Sequence, residues 1–274
     1  MQDKNLKSQE CLAIFAGRGN LPQILLDDLV KKNRHFILFL LASENYEIDY
    51  SRFNPIKISY GEVERFLQVL KENNAKELVF IGGVSKPNFS QLKVDKTGAV
   101  LLAKILANKI LGDDFVIKTV VKFFEKRGFK ISPINDFLDF ILAKKGCLTK
   151  IAPSCEDLAE IALAQKAIKH FAKFDVGQAL VIAQKQIIAV EGLEGTDLMV
   201  KRCENLRQNG ILVKLKKPKQ SRKMDLPTIG ALTIKNCQNS KIKGIAIQAN
   251  STLIIDKEKV INLANEAEIF LVAI

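Results

Sequence analysis

The chain has 274 residues, enough for one large domain or two of ordinary size. Hydrophobic residues make up 47 % and charged residues 26 %, which excludes general disorder and predicts a packed core. The net charge of +12 calls for anionic partners, and no apolar run reaches the roughly 18 residues of a membrane span.

The opening MQDKNLKSQE is too polar for a signal peptide, so a cytoplasmic location is expected. Cys11, Cys147, Cys155, Cys203 and Cys237 include no C-x-x-C pair, and their odd number suits a reducing compartment. His35 and His170 lack metal-ligand spacing, which argues against a zinc site or a histidine-dependent triad.

In chain order, CLAIFAGRGNLPQILLDDLVKKN reads as strand, glycine turn and helix, with Pro22 tolerated in the first helical turn. The strands HFILFLLA and ELVFIGGV enclose YGEVERFLQVLKENN, whose Val63, Phe66, Leu67 and Leu70 have helical spacing. This alternation predicts an α/β fold whose first part, over 1–133, is a Rossmann-like parallel domain with ligands at the strand carboxyl ends. Gly17-Arg18-Gly19 lacks the third glycine of a dinucleotide fingerprint, with Pro22 in its place. Glu44, near the position of a ribose ligand, lies in a polar loop. The turn is expected to face a phosphate or nucleotide; the other reading is a purely structural turn.

Two helices follow, AVLLAKILANKIL and DFVIKTVVKFFEKRG, separated by Gly112-Asp113-Asp114, where either aspartate is a candidate cap. FKISPI reads as a strand. Pro133, Gly146 and Pro153 punctuate a connection placed at 134–154. Beyond it, CEDLAEIALAQKAIKHFAKF is an amphipathic helix, and QALVIA and QIIAVE form a hairpin about Gln184-Lys185-Gln186. TDLMVKRCENLRQNG reads as a helix ended by Gly210, and ILVKLKK as a strand. TIGALTIKNCQN is helical, GIAIQA, TLIIDK and IFLVAI are short strands, and KEKVINLANEA is a helix before the last of them. The second domain, 155–274, is therefore a mixed α/β unit and the expected catalytic one.

The chemistry concentrates between Asp175 and Gly230. Glu191, Glu194 and Asp197 follow an apolar strand that Gly192 and Gly195 break into turns. Six cations then crowd into KLKKPKQSRK, and Asp225 lies just beyond. Carboxylates beside a cationic loop point to a site for a metal ion and a phosphate. The alternatives are a helix N-cap at Thr196-Asp197 and a solvated lysine loop.

AGRGNLP at 16–22, IGGVSKP at 81–87, GDD at 112–114, DVGQA at 175–179, EGTD at 194–197, K-x-x-K-P-x-Q at 214–220 and DLPTIG at 225–230 together resemble the LpxI family, the UDP-2,3-diacylglucosamine pyrophosphatases of lipid A synthesis. The chain departs from the family where Ser221 follows Gln220, and at Lys223 and Met224. The resemblance implies hydrolysis of a diacylated UDP-sugar by water attack on the α-phosphorus, giving UMP and 2,3-diacylglucosamine 1-phosphate (lipid X), with Mg²⁺ and with the lipid held between two domains.

On this reading Asp225, Glu194 and Asp197 are catalytic, and Asp225 and Glu191 hold the metal. Substrate-binding residues are Gly17, Arg18, Gly19, Asn20, Leu21, Gly83, Val84, Lys86, Asp114, Gln178, Thr196, Lys214, Gln220 and Arg222. The expected partners are the acylated UDP-sugar, the anionic inner-membrane surface, touched peripherally, and a second copy in a homodimer. Two rival readings are a nucleotide-sugar oxidoreductase using the first glycine turn and a basic nucleic-acid binder. The cluster at 214–223 has little aromatic interleaving and no binding motif, so no nucleic-acid partner is expected.

Overall fold

The computed structural model describes residues 10–85, 87–89, 91–107, 113–171, 174, 176–206, 209–216 and 226–274, with main chain only at 113 and 114. The fold is α/β in two units, divided between Leu138 and Asp139.

The first unit runs β1 (Cys11–Ala16), α1 (Leu21–Lys31), β2 (Phe36–Leu41), β3 (Ile56–Ile58), α2 (Val63–Glu72), β4 (Ala75–Ile81), α3 (Lys96–Leu106), α4 (Asp113–Glu125) and β5 (Lys130–Ile131). Its five strands are all parallel, in the order β3-β2-β1-β4-β5. A parallel sheet is covered on both faces, which explains why CLAIFA and FILFLL are continuous apolar runs rather than alternating ones. On one face, Ala13, Phe39 and Phe80 pack with Phe66 of α2, Leu101 of α3 and Phe124 of α4. Phe66 packs with ring centroids 4.5 Å from Phe39, 5.5 Å from Phe124 and 5.8 Å from Phe15.

One aspartate joins two of these helices. Asp95 caps α3 by accepting from the Gly98 amide at 2.6 Å, and its other oxygen accepts from the Glu64 amide in the first turn of α2, also at 2.6 Å. Both are orphan helix donors, so α2 and α3 are pinned side by side at their N-termini.

The second unit contains β6 (Gly146–Cys147), α5 (Cys155–Phe171), β7 (Ala179–Ala183), β8 (Gln186–Val190), α6 (Thr196–Arg202), β9 (Gly210–Lys214), β10 (Thr228–Ile229), α7 (Ala231–Asn239), β11 (Ile242–Ile247), β12 (Leu253–Ile254), α8 (Lys257–Glu266) and β13 (Phe270–Ala273). Its main sheet is mixed, in the order β6-β13-β11-β9-β7-β8. β9, β11 and β13 are parallel, while β6, β7 and β8 join antiparallel. The β7–β8 hairpin turns on Gln184 (φ 49°) and Lys185 (φ 60°), the double left-handed conformation that matches strand twist. Ser154 and Asp157 cap α5 reciprocally: the Ser154 amide donates to Asp157 at 2.9 Å, and the Asp157 amide donates to the Ser154 hydroxyl at 3.1 Å. The stretch 134–154 carries two 3-10 turns, Ile134–Asp136 and Asp139–Ile141, and β6.

Two sequence expectations are corrected here. The helix expected to run to Gly210 ends at Arg202, and Gly210 opens β9 instead. Gly210 lies against Val181, where an added Cβ would stand 3.0 Å from the valine methyl, so this glycine serves strand packing and not a helix stop. Nor does Thr196-Asp197 cap α6. Gly195, at φ 82°, is the N-cap residue, and Thr196 is already helical.

Candidate functional site

In the first unit the candidate residues gather at the carboxyl ends of β1 and β4, where the order of the sheet reverses. Gly17 and Gly82 exist for mutual approach of two loops. A Cβ on Gly17 would lie 2.3 Å from the Gly83 carbonyl oxygen, and one on Gly82 would lie 2.7 Å from the Arg18 carbonyl oxygen. Gly19 is glycine for its φ of 92°. Gly83 is needed for neither reason: its Cβ would meet nothing within 4 Å. Asn20 and Leu21 stand at the start of α1, where the Asn20 side chain makes no cap.

Glu44, read as an ordinary loop residue near a ribose position, is buried and committed. Its carboxylate takes a 3.0 Å ion pair from Arg18 and hydrogen bonds from the amide and hydroxyl of Ser85. The Tyr60 hydroxyl donates to the Ser85 carbonyl, and burial, with Glu44 nearby, pushes its pKa up to about 12. The Tyr46 hydroxyl, its pKa raised by burial, donates to the Ala16 carbonyl at 3.1 Å. Sequence reasoning missed Tyr46, Tyr60 and Ser85; their only signal was their position just past strand ends.

Beneath these strand ends lies a cavity of about 470 Å³. It sits between the sheet and α2, α3 and α4, and it is walled mainly by apolar side chains. Gly83 and Val84 line it, as does Ser85.

In the second unit Glu191 is the organising carboxylate. It is 7 % exposed, one oxygen accepts from the Gln178 amide at 2.6 Å, and the other accepts from the Thr196 hydroxyl at 2.7 Å. Those bonds tie the start of β7, the end of β8 and the first turn of α6. The Gln178 side-chain oxygen is buried without a hydrogen-bond partner, an acceptor left open beside them. Lys214, at the end of β9, is buried and donates to the Thr228 carbonyl at 2.8 Å.

The other two carboxylates turn elsewhere. Glu194 pairs with Arg202 at 3.1 Å; its own amide's hydrogen bond, more than Arg202, holds its pKa below the usual range. Asp197 stands 3.5 Å from the Thr233 hydroxyl. Among the described residues no three His, Cys, Asp or Glu side chains gather as a metal site. Lys86, Gln220, Arg222 and Asp225 lie outside the described residues, as do the side chains of Asp113 and Asp114.

Sequence models of the LpxI N-terminal domain and the LpxI C-terminal domain match residues 11–141 and 144–272. The chain belongs to the LpxI family. A relative from Caulobacter vibrioides, UDP-2,3-diacylglucosamine pyrophosphatase LpxI, is 30 % identical over 272 residues, covering 96 % of this chain and 97 % of its own. A solved short chain dehydrogenase from Leptospira borgpetersenii serovar Hardjo-bovis, with bound NAD+, covers 65 % of this chain and 72 % of its own at 13 % identity. Its TM-score of 0.25 is too low to carry an argument. No helix among the described residues of this LpxI-family chain is long and apolar enough to cross a membrane.

Proposed function

We propose that this chain hydrolyses the pyrophosphate bond of UDP-2,3-diacylglucosamine, giving UMP and 2,3-diacylglucosamine 1-phosphate by water attack on the α-phosphorus. The observation that carries this reading is the 30 % identity, across nearly the whole of both chains, to a relative that bears that activity in its name. A substrate with two acyl chains and a nucleotide needs apolar walls and polar anchors. The cavity of the first unit supplies the former. In the second unit, Thr196 and Lys214 are the proposed polar anchors, held by Glu191 and by the Thr228 carbonyl. Neither a nucleotide-sugar oxidoreductase nor a nucleic-acid binder is favoured by the family match.

Pyrophosphate oxygens are anionic, so attack requires their charge to be offset. Mg²⁺ bound at such a site would supply that offset and polarise the phosphoryl group. Among the described carboxylates Glu191 accepts a hydrogen bond at each oxygen, Glu194 faces Arg202 and Asp197 stands 3.5 Å from the Thr233 hydroxyl, so a metal ion would add to these contacts or displace them. Asp225 is a further proposed ligand, or the group that orients the attacking water. Catalytic roles for Glu194 and Asp197 belong to the same proposal, with Glu194 requiring release from Arg202.

The deciding assay is UMP release from UDP-2,3-diacylglucosamine, with Mg²⁺ and with chelator. Release that stops on chelation supports the whole reading; no release under either condition overturns it. Hydrolysis in ¹⁸O-water should label UMP, and label confined to the lipid phosphate would place attack on the sugar-side phosphorus instead. Peripheral contact with an anionic membrane is part of the proposal and is read by flotation with anionic liposomes at low salt. A homodimer is read by light scattering.

A further inference from the structure

We propose that the outward face of α5 is the surface by which this chain lies on an anionic bilayer. This rests on the acylated substrate and peripheral membrane contact proposed above, and it names where that contact is made. α5 is apolar on two sides. Its inner side, Ile161, Ala164 and Ile168, packs with Leu180 of β7 and with Ile211 and Val213 of β9. At 3.6 residues per turn, Leu158, Ala159, Ala162 and Leu163 fall on the opposite side. All four are exposed, the two leucines by 46 % and 40 %. A helix that covers a sheet ordinarily turns a polar stripe to water. Here the two carboxylates of this stretch point inward instead. Asp157 is buried and pairs with Lys243 at 2.6 Å, and Glu160 is buried and accepts from the Lys185 amide at 3.1 Å. Between Glu156 and Lys166, α5 therefore exposes no charged side chain.

The next turn of the same face carries Lys166 and Lys169, both exposed. Phe174, three residues past the end of the helix, is 79 % exposed. Leucines and an aromatic ring bordered by lysines suit a helix lying in the plane of a bilayer surface. Its apolar side chains reach the acyl boundary and its ammonium groups meet anionic headgroups. Charge also decides against a second copy as the cover. A two-fold interface sets one patch against itself, so each copy would bring two exposed lysines of α5 and a single exposed carboxylate, Glu156. The joint would be left with an excess of positive charge in any orientation. A bilayer of anionic lipid turns that same excess into attraction, and the net charge of +12 adds to it at longer range.

The test is co-sedimentation of the whole protein with vesicles of phosphatidylglycerol and phosphatidylethanolamine, without substrate. Wild type should bind at low salt and more weakly at high salt or on phosphatidylcholine alone. Leu158→Gln combined with Leu163→Gln should weaken binding at least about tenfold. Lys166→Gln combined with Lys169→Gln should weaken it about fivefold per lysine at low salt. All four side chains face water, so both variants should keep the wild-type urea midpoint. Both should release UMP from detergent-dispersed substrate at the wild-type rate and from substrate in vesicles more slowly. Unchanged vesicle binding by either folded variant overturns the proposal, as does equal binding to neutral vesicles. If the leucine variant fails to fold, the lysine variant decides. A leucine variant that turns a dimer into monomers while its vesicle binding is unchanged would assign the face to a second copy instead. Wild type that releases UMP but binds no vesicles would sink the α5 surface and leave the reaction standing. Wild type that binds vesicles through α5 but releases no UMP would do the reverse.

Discussion

The main chains of Arg18 and Gly83 hold each other twice. The Arg18 amide donates to the Gly83 carbonyl at 2.7 Å, and the Gly83 amide donates to the Arg18 carbonyl at 3.0 Å. This isolated antiparallel bridge ties the loops after β1 and β4 where a dinucleotide fold would open a crevice. The glycines on either side therefore have unequal tasks.

Gly17→Ala should be the damaging substitution, because its Cβ would fall 2.3 Å from a backbone oxygen that has no room to yield. Overpacking of this kind costs about 1–3 kcal/mol. Gly83→Ala, with open space around it, should stay within about 0.5 kcal/mol of wild type. Urea unfolding of the two variants checks the contrast.

Asp95 should be worth more than an ordinary helix cap, since it satisfies donors of both α2 and α3. A single cap contributes about 1 kcal/mol, so Asp95→Ala should cost on the order of 2 kcal/mol. Asp95→Asn keeps only one accepting oxygen and should fall between. Denaturant midpoints with an unchanged m-value are the measurement.

Glu191 should prove necessary to the second unit whether or not metal is present. Glu191→Ala removes the acceptor of both the Gln178 amide and the Thr196 hydroxyl, and it should destabilise by about 1–3 kcal/mol in metal-free buffer. Full stability without metal, together with lost Mg²⁺ affinity, would make Glu191 a ligand first and a structural group second.

Glu77 should make the first unit sensitive to acid. Burial opposes its charge, but hydrogen bonds from Lys130 and Ser132 and the nearby Lys130 and Arg34 cations outweigh that and hold its pKa below the usual carboxylate value of 4.5. A carboxylate lowered on folding adds stability above its unfolded pKa, and that stability is lost as pH falls through the folded value. Glu77→Gln should therefore be less stable than wild type at pH 7, with the gap closing below about pH 4. A gap that stays constant with pH would point to packing instead.

Asp225→Asn should fold and still bind substrate, yet lose at least about a hundredfold in UMP release, as expected on removal of a positioned catalytic group. Near-normal release by the folded variant would remove Asp225 from the mechanism and leave Glu194 and Asp197 as the carboxylates to test.

The sequence by itself determined most of the layout. Continuous apolar runs at 11–16 and 36–41, separated by helical spacing, already required a parallel sheet, because both faces of such strands must be covered. The motifs from AGRGNLP to DLPTIG were enough to indicate the family. Tertiary structure decided what the individual residues do. Gly17 and Gly83 sit in similar turns, but their difference depends on atoms more than sixty residues away in the chain. Glu191 reads in sequence as a metal ligand beside Glu194 and Asp197, and only the fold shows that one of its oxygens accepts from the Gln178 amide and the other from the Thr196 hydroxyl. The end of α6 was misread because Gly210 resembles a helix stop in sequence, whereas its reason for being glycine is a valine methyl on the neighbouring strand. The cavity left no mark on the sequence. Its phenylalanines and valines read as core, and only the packing of α2, α3 and α4 over the sheet shows that the core is not filled. Local periodicity reports which face of an element is apolar; it carries no information on how much space remains once the faces meet.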